Sequence, residues 1–174
     1  MSFIRWLIAV VVIAALTHGA ALYFGPSLIM SRVTGRIAET AGMNAMLYPP
    51  RPNAANDIIV RSSPDLLYNI CAYDVSEKPL LLTAEVPPGT YWSAAFYDLN
   101  TNNYRVINDG QATTGGIRVL VVKSGTPSAS TPAGAETIAS PTERGLVLIR
   151  TLINDEANFA AIDEARKKAT CRSL

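Results

Sequence analysis

The stretch "PLLLTAEVPPGTYWSAAFYD", residues 79–98, contains two runs of alternating side chains on either side of a Pro-Pro-Gly-Thr segment. In the second run, Trp92, Ala94 and Phe96 lie on one side, and smaller or more polar side chains lie on the other. A period of two residues is typical of a strand with one buried face. Pro and Gly supply the backbone angles of a tight turn. The stretch therefore predicts two β-strands joined by a turn.

Similar short runs recur along the chain at intervals of roughly ten residues, without helical segments between them. They cover residues 57–62, 66–74, 103–109, 117–124 and 146–153. This pattern predicts an all-β fold, an antiparallel β-sandwich or jelly-roll-like domain. The sequence "NDEANFAAIDEARKKAT", residues 154–170, has acidic residues early and basic residues late, which predicts a C-terminal α-helix.

A segment rich in Ser, Thr, Ala, Gly and Pro occupies residues 124–143. Its composition is typical of a loop, and a loop of this length is uncommon inside a compact domain. We therefore expect a long surface loop there, and we treat it as one candidate contact surface for a partner.

The amino-terminal segment from Phe3 to Phe24 is apolar and contains one formal charge, Arg5. A helix of this length spans about 33 Å, which matches the ~30 Å hydrocarbon core of a bilayer. Trp6 and Tyr23 lie near its two ends, where amphipathic rings favour the membrane interfaces. The segment predicts one N-terminal transmembrane helix.

A cleaved signal peptide and a retained anchor both fit this segment, and the apolar character that continues through "SLIM" favours the anchor. We divide the chain into an anchor or signal peptide (1–30), a helical stalk with a Pro-rich linker (31–52) and a β-sandwich with a C-terminal helix (53–174). Arg5 is nearly balanced by Arg32 and Arg36, and the signal-like layout favours a cytoplasmic N-terminus. The predicted location is the inner membrane, with the globular domain in the periplasm.

The two cysteines, Cys71 and Cys171, lie too far apart in sequence for a CxxC redox motif or a four-ligand zinc site. In an oxidising compartment they can form a disulfide, and closing a loop of 100 residues is worth about 4.7 kcal/mol in the chain-entropy model. The alternative is a pair of free thiols, with Cys71 buried as a small apolar residue. We expect the disulfide.

Charge and histidine content exclude several classes of protein. Lys and Arg number 15 against 14 Asp and Glu, and the only short basic run, "ARKK" at 165–168, follows acidic residues of the predicted helix. A nucleic-acid partner is therefore not expected. His18 is the single histidine and lies in the apolar segment, so histidine-based hydrolase triads and histidine-ligated metal sites are not expected in the body. We expect no cofactor and no resident metal.

The stretch "FYDLNTNNYRVINDG", residues 96–110, has the highest density of side-chain oxygens. Asp98, Asn100, Asn102 and Asp109 have the spacing of a candidate cation loop, but Asn103 replaces the usual glycine, and the following residues alternate like a strand. A hairpin turn with local Asx hydrogen bonds is the simpler interpretation. Carboxylate pairs are also candidates for hydrolytic chemistry, namely Asp65 with Asp74 or Asp98 with Asp109.

Six aromatic residues on or beside strands form a candidate binding face for a sugar or a protein. They are Tyr68, Tyr73, Tyr91, Trp92, Tyr97 and Tyr104. Cross-strand packing is the alternative role for these side chains. In the apolar helix, Ala15, His18 and Gly19 form a candidate contact with another membrane helix, because small residues allow close approach.

Several motifs occur in order over residues 61–109. They are Asp65-Leu66-Leu67-Tyr68, a strand ending at Asp74, the "PLLLT" strand, the Tyr91-Trp92 pair, and Asp98 followed by Thr101, Asn102 and Asn103. In these motifs the chain resembles the bacterial family known as domain of unknown function 1254. The resemblance implies a β-sandwich, often found beside or fused to a second β domain, domain of unknown function 1214. If that pairing holds here, the partner is a separate polypeptide.

Together these features predict a membrane-anchored periplasmic module that binds a protein partner or an envelope component without catalysing a reaction. It would serve as an accessory subunit of a larger membrane complex, held near its partner by the anchor. The alternative is a carboxylate-dependent hydrolase or carbohydrate-active enzyme of the cell envelope.

Overall fold

Two β-sheets packed face to face form the body of the protein, and a long helix lies against one of them. The computed structural model describes residues 2–53, 62–112, 115–126 and 131–174. The helices are α1 (Ser2–Ala41) and α2 (Phe159–Lys167), and α2 follows a single 3-10 turn, Glu156–Asn158. The strands are β1 (Ala45–Leu47), β2 (Leu66–Asp74), β3 (Leu80–Ala84), β4 (Trp92–Asp98), β5 (Asn103–Asn108), β6 (Ile117–Lys123), β7 (Glu136–Ser140), β8 (Arg144–Leu152) and β9 (Thr170–Ser173).

The first sheet has the order β1-β2-β8-β4-β5, and the second has the order β7-β6-β3-β9. Every pair in the first sheet is antiparallel. In the second sheet β3 pairs antiparallel with β6 and β9, but β6 and β7 are parallel. The predicted sandwich is confirmed, whereas the expectation of a purely antiparallel fold is wrong at β7.

The core lies between the two sheets and is made by the alternating apolar residues that the sequence shows. Cys71, Tyr73, Trp92, Ala94, Phe96, Val147 and Ile149 of the first sheet face Leu80, Leu82, Val119, Val121 and Ile138 of the second. All are buried, and each fully buried side chain of this size stabilises the fold by about 1.5–3 kcal/mol through the hydrophobic effect.

Three strands were not expected from the sequence, and the first of them is β1, in the segment assigned to the stalk and linker. The predicted loop at 124–143 contains β7, which pairs with β6 along its whole length. The strand β9 follows α2 and completes the second sheet beside β3. The strand predicted at 57–62 lies outside the described residues, except for Ser62.

The helix α1 continues from the apolar segment to Ala41 and ends at Gly42, which has a φ of 94° and donates its amide to the Ala38 carbonyl. This left-handed conformation costs glycine little and is common after helix C-termini. After the helix ends, β1 pairs with β2 at the edge of the first sheet. The segment assigned to a stalk and linker therefore contributes a helix end and an edge strand.

Among the described residues, α1 is the helix long and apolar enough to cross a membrane. Its most apolar window has a mean hydropathy of 2.2, and none of that window is buried against the domain. A membrane anchor and a signal sequence both have this character.

The predicted C-terminal helix is confirmed as α2, which closes one end of the sandwich. Ile162 of α2 packs with Leu67, Ile153 and Phe159 in a small separate core. The buried Arg166 guanidinium donates to the Tyr68 carbonyl at 3.1 Å. These contacts fix α2 against β2.

Candidate functional site

A cleft of about 480 Å³ opens at the end of the sandwich where β3, β5 and β8 finish and β4 begins. We refer to it as the end cleft. Its principal lining residues are Pro87, Pro88, Tyr91, Asp109, Leu152 and Asn154. These residues are far apart in sequence. They meet because, in an antiparallel pair, the C-terminal end of one strand lies beside the N-terminal end of its neighbour.

The Pro-Pro-Gly-Thr turn is held in place by hydrogen bonds to the end of β8. Thr90 donates its hydroxyl to the Leu152 carbonyl at 2.6 Å, and Asn154 donates its side-chain amide to the Gly89 carbonyl at 2.9 Å. Gly89 has a φ of 72°, which glycine adopts readily. The turn is therefore a rigid wall of the end cleft.

Tyr91 and Asp109 give the end cleft its chemical character. Tyr91 is 42% exposed, and its hydroxyl donates to the Ser93 hydroxyl at 2.9 Å. The Asp109 carboxylate is exposed and accepts one long hydrogen bond, 3.4 Å, from the Trp92 amide. The described lining includes neither Lys nor Arg. An aromatic ring beside a free carboxylate suits a ligand with hydroxyl or ammonium groups.

A second cavity of about 320 Å³ lies on the other side of the same turn, against α2. It shares Pro87, Pro88 and Asn154 with the end cleft and adds Ala161, Ile162 and Ala165 of α2. The small side chains of α2 leave this space open. Within the turn, Pro88 and Gly89 are exposed, whereas Pro87 and Thr90 are buried.

The predicted disulfide between Cys71 and Cys171 is present, with the two Cα atoms 6.4 Å apart. It links β2 of the first sheet to β9 of the second, across the core. The bond joins the last strand of the chain to the middle of the fold and leaves no free cysteine among the described residues.

The loop after β4 is a turn closed by Asp98. One Asp98 carboxylate oxygen accepts hydrogen bonds from the backbone amides of Asn100 and Asn102, at 2.8 and 2.9 Å, and the other accepts from the Asn102 side chain at 3.0 Å. Asp98 is 3% exposed, and Asp109 lies beyond the other end of β5. The oxygens that a cation would need are therefore occupied by donors or directed elsewhere.

The carboxylate pairs proposed for hydrolytic chemistry do not meet. Asp65 and Asp74 flank β2 and are about 30 Å apart at ~3.3 Å per residue, and the six residues of β5 separate Asp98 from Asp109 by about 20 Å. Asp74 forms an ion pair with Arg144 at 2.7 Å. Burial alone would raise the pKa of Asp74, but hydrogen bonds from Ser76 and Arg144 outweigh it and lower that pKa overall. Asp74 and Asp98 are therefore engaged in hydrogen bonds or an ion pair at strand ends.

The six aromatic residues do not form one binding face, which corrects the expectation from the sequence. Tyr73 and Trp92 point into the core and are 0% and 1% exposed, whereas Tyr68 and Tyr97 lie on the opposite face of the first sheet. The alternation of a strand sends neighbouring positions to opposite faces. Of the six, Tyr91 lines the end cleft.

Tyr73 is the centre of a buried hydroxyl network. Its hydroxyl donates to the Tyr97 carbonyl at 3.0 Å and lies 3.1 Å from the Tyr104 hydroxyl and 2.9 Å from the Ser140 hydroxyl. Burial raises the pKa of both Tyr73 and Tyr104, so both remain protonated donors. The network joins β2, β4 and β5 to β7, and its role is structural.

The helical contact residues Ala15, His18 and Gly19 are exposed on α1, with nothing within 4 Å of the position of a Gly19 side chain.

Sequence reasoning missed Thr90, Asn154 and the two prolines as site residues. For Thr90 and the prolines, the only signal in the sequence was the Pro-Pro-Gly-Thr motif. That motif predicts a turn, but it does not show that the turn forms the wall of a cleft.

Comparison with functionally curated proteins finds no match to the chain. Among solved structures, the fold is similar to that of the VPA0106 protein from Vibrio parahaemolyticus, with a TM-score of 0.64 and 14% identity over 88% of this chain and 37% of that chain. An uncharacterized protein from Burkholderia cenocepacia gives a TM-score of 0.48 and 18% identity, over 79% and 37% of the two chains. The chain thus spans little more than a third of each solved protein. At 14% identity, the similarity to the Vibrio parahaemolyticus protein concerns the fold alone.

A family model described as a protein of unknown function (DUF1254) matches residues 43–173. The matched range begins just before β1 and ends with β9, so it includes every strand of the sandwich and excludes α1. The resemblance seen in the sequence motifs is confirmed. This chain belongs to the DUF1254 family.

Proposed function

We propose that the protein is a membrane-anchored periplasmic binding module, which holds its end cleft close to the membrane surface and binds an envelope component or a protein partner there. The observation that carries this proposal is the continuity of α1. One helix passes from the exposed apolar segment into a segment that packs on the sandwich, without a linker between them.

The docked segment of α1 presents one face to the domain. Met30, Thr34 and Ile37 are 7%, 3% and 6% exposed, and their spacing places them on one side of a helix. Ile37 packs on Ile70 and Ala72 of the first sheet. These contacts fix the part of α1 that follows Pro26 to the domain, close to the end of the apolar segment.

The direction of α1 supports an end cleft that faces the membrane. The helix ends near the Asp74 end of β2, because Asn44 accepts a hydrogen bond from the Asp74 amide. Ile37 packs farther along β2, so α1 runs toward the Leu66 end as it approaches the membrane segment. Leu66 pairs with Leu152, a residue of the end cleft. Only about 9 Å of helix separates Phe24 from Met30, which supports a cleft near the headgroups.

In this proposal the N-terminus is cytoplasmic and the sandwich is periplasmic. The disulfide supports an oxidising compartment, since such bonds rarely persist in the cytosol. The partner is a protein of the domain of unknown function 1214 type or a larger membrane complex. The alternative is an envelope hydrolase, and the pairs named for it, Asp65 with Asp74 and Asp98 with Asp109, lie about 30 Å and 20 Å apart along their strands.

The test uses the full chain expressed in a Gram-negative host. A photo-crosslinking amino acid is placed at Tyr91 in the end cleft and, as a control, at Val106, which is 37% exposed on β5 and outside the cleft. We expect a chain of uncleaved mass in the carbonate-resistant membrane fraction, oxidised cysteines, and a defined crosslinked species from position 91 alone. A soluble cytosolic chain with two free thiols, or equal crosslinking from both positions, would overturn the proposal.

A further inference from the structure

The end cleft contains exposed oxygen atoms that can accept a hydrogen bond and that no described residue uses. One oxygen of the Asp109 carboxylate accepts the long hydrogen bond from the Trp92 amide, and the other accepts none from the described residues. The Asn154 side chain donates to the Gly89 carbonyl, and its oxygen accepts no hydrogen bond from those residues. Asp109 and Asn154 are both exposed at the cleft. A ligand can therefore reach free acceptors there.

The charge and the aromatic wall of the end cleft both favour a cation. Asp109 is the one charged residue in the described lining. The Tyr91 ring is 42% exposed, and the hydrogen bond from its hydroxyl to Ser93 holds it in place. A positive charge is attracted by a carboxylate and by the face of an aromatic ring. The end cleft thus combines two attractions for one positively charged group.

An ammonium group suits this carboxylate better than a guanidinium does. A guanidinium binds a carboxylate best through two parallel hydrogen bonds, which need both oxygens. In the end cleft, one Asp109 oxygen already accepts from the Trp92 amide. An ammonium is a compact charge that needs one oxygen, and its remaining protons can go to other acceptors or to water.

The other walls of the end cleft favour an ammonium on an apolar stem. Pro88 and Leu152 belong to the lining, and a lysine stem can pack on such side chains while its charge stays near water. A zwitterionic lipid headgroup carries its ammonium close to a phosphate, and the described lining has no Lys or Arg to pair with that phosphate. The second cavity, across the turn, offers Ala161 and Ile162 to residues that flank the lysine.

We propose that the end cleft binds the ammonium of a lysine side chain carried by the protein partner. Asp109 supplies the opposite charge, and Tyr91 supplies the aromatic wall. This inference rests on the proposed function and names the group by which the partner is recognised. Because the carboxylate is exposed, salt screens the pair, and the lysine contributes a modest factor to the affinity.

The test titrates the full chain, in lauryl maltoside micelles, with acetyl-Gly-Lys-Gly-amide, with its norleucine counterpart and with glycerophosphoethanolamine. Saturation-transfer difference NMR measures the three dissociation constants. We expect the lysine peptide to bind about tenfold more tightly than the norleucine peptide, with the strongest saturation at its ε-methylene protons.

Asp109→Asn keeps an acceptor for the Trp92 amide and removes the charge, so it should weaken binding of the lysine peptide about fivefold. Glu77→Gln is the matched control, because Glu77 is an exposed carboxylate in the turn after β2, outside the cleft lining. That change should leave the dissociation constant as it is in the wild type.

Two further measurements do not depend on the Asp109→Asn variant. Tyr91→Leu should weaken binding of the lysine peptide about threefold, because it keeps an apolar wall and removes the ring. About 1 M NaCl, at which the Debye length is about 3 Å, should weaken binding to the wild type to the level of Asp109→Asn.

Equal binding of the lysine and norleucine peptides overturns this inference and leaves the proposed function in place. Indifference of the lysine peptide to both Asp109→Asn and salt does the same. Tighter binding of glycerophosphoethanolamine than of the lysine peptide overturns the protein partner as the source of the ammonium. Equal crosslinking from positions 91 and 106 in the test described above overturns the proposed function, and this inference with it.

Discussion

The side chain of Asn44 pairs with the backbone of Asp74 as a neighbouring strand would. Asn44 donates to the Asp74 carbonyl at 2.9 Å and accepts from the Asp74 amide at 2.7 Å. Its own amide donates to the Ala72 carbonyl, and its side chain also donates to the Ser173 hydroxyl at 2.7 Å. One residue thus joins the end of α1, the edge of the first sheet and β9.

We predict that Asn44→Ala lowers the free energy of unfolding by about 2–3 kcal/mol, because it leaves two backbone groups without partners and adds strain at a φ of 57°. Asn44→Gly removes the same hydrogen bonds without the strain and should be less damaging by about 1 kcal/mol. Urea denaturation of both variants checks the prediction. Equal stability of the two would show that backbone strain plays no part.

Replacement of both cysteines by alanine should lower the free energy of unfolding by about 2–5 kcal/mol, because the disulfide restrains the unfolded chain over a separation of 100 residues. Thermal melting with and without a reducing agent gives the measurement. The wild type should lose stability on reduction, and the Cys71→Ala/Cys171→Ala variant should not respond. A wild type indifferent to the reducing agent would contradict the prediction.

Ile37→Ala should loosen the docked part of α1, because it removes a side chain that is 6% exposed and packs on Ile70 and Ala72. Large-to-small changes at such positions cost about 2–5 kcal/mol. Hydrogen exchange of the 30–41 amides in detergent should accelerate accordingly. Val33→Ala is the control, since Val33 is 40% exposed on the same helix. Comparable exchange in the two variants would argue against docking through this face.

Asp163→Asn should destabilise the protein by about 1–3 kcal/mol at neutral pH, because the buried Arg166 loses its 2.6 Å ion-pair partner. Burial alone would raise the pKa of Asp163, but Lys167 and Arg166 lower it below its usual 3.8. A carboxyl with a lowered folded pKa stabilises the fold fully above its unfolded pKa and loses that effect as the pH falls through the folded value. Wild type and variant should therefore differ at pH 7 and converge in acid. A difference independent of pH would exclude this charge effect.

Gly145→Ala should cost about 1–3 kcal/mol, because a Cβ at this position would overlap the Tyr97 carbonyl oxygen and the Tyr73 hydroxyl. Gly35→Ala provides the comparison, since Gly35 lies in α1 with open space around it. That change should be neutral or stabilising by up to about 1 kcal/mol, as alanine favours helix. Thermal melting of the two variants and the wild type measures both effects. A Gly145→Ala variant as stable as the wild type would mean that β8 shifts away from the Tyr73 network.

The candidate site was only partly visible in the sequence. Tyr91 and Asp109 were singled out there, but one as part of an aromatic face and the other as part of a cation loop. The structure places both in the end cleft with Thr90, which the sequence showed only as part of a turn, and Asn154, which belongs to no motif. A cleft built from the ends of four strands depends on which strands are neighbours, and the sequence near each strand does not contain that information.

The sequence alone predicts the apolar helix, most of the strands with their buried faces, the C-terminal helix, the disulfide partners and the family. Each of these depends on the spacing of residues close together in the chain, on the number of cysteines, or on a run of ordered motifs. The tertiary structure decided that β7 pairs parallel with β6, that β9 returns beside β3, and that α1 docks on the first sheet. These features depend on contacts between distant segments. Strands as short as "ETIAS" have too few apolar residues to be recognised until a neighbouring strand supplies their hydrogen bonds.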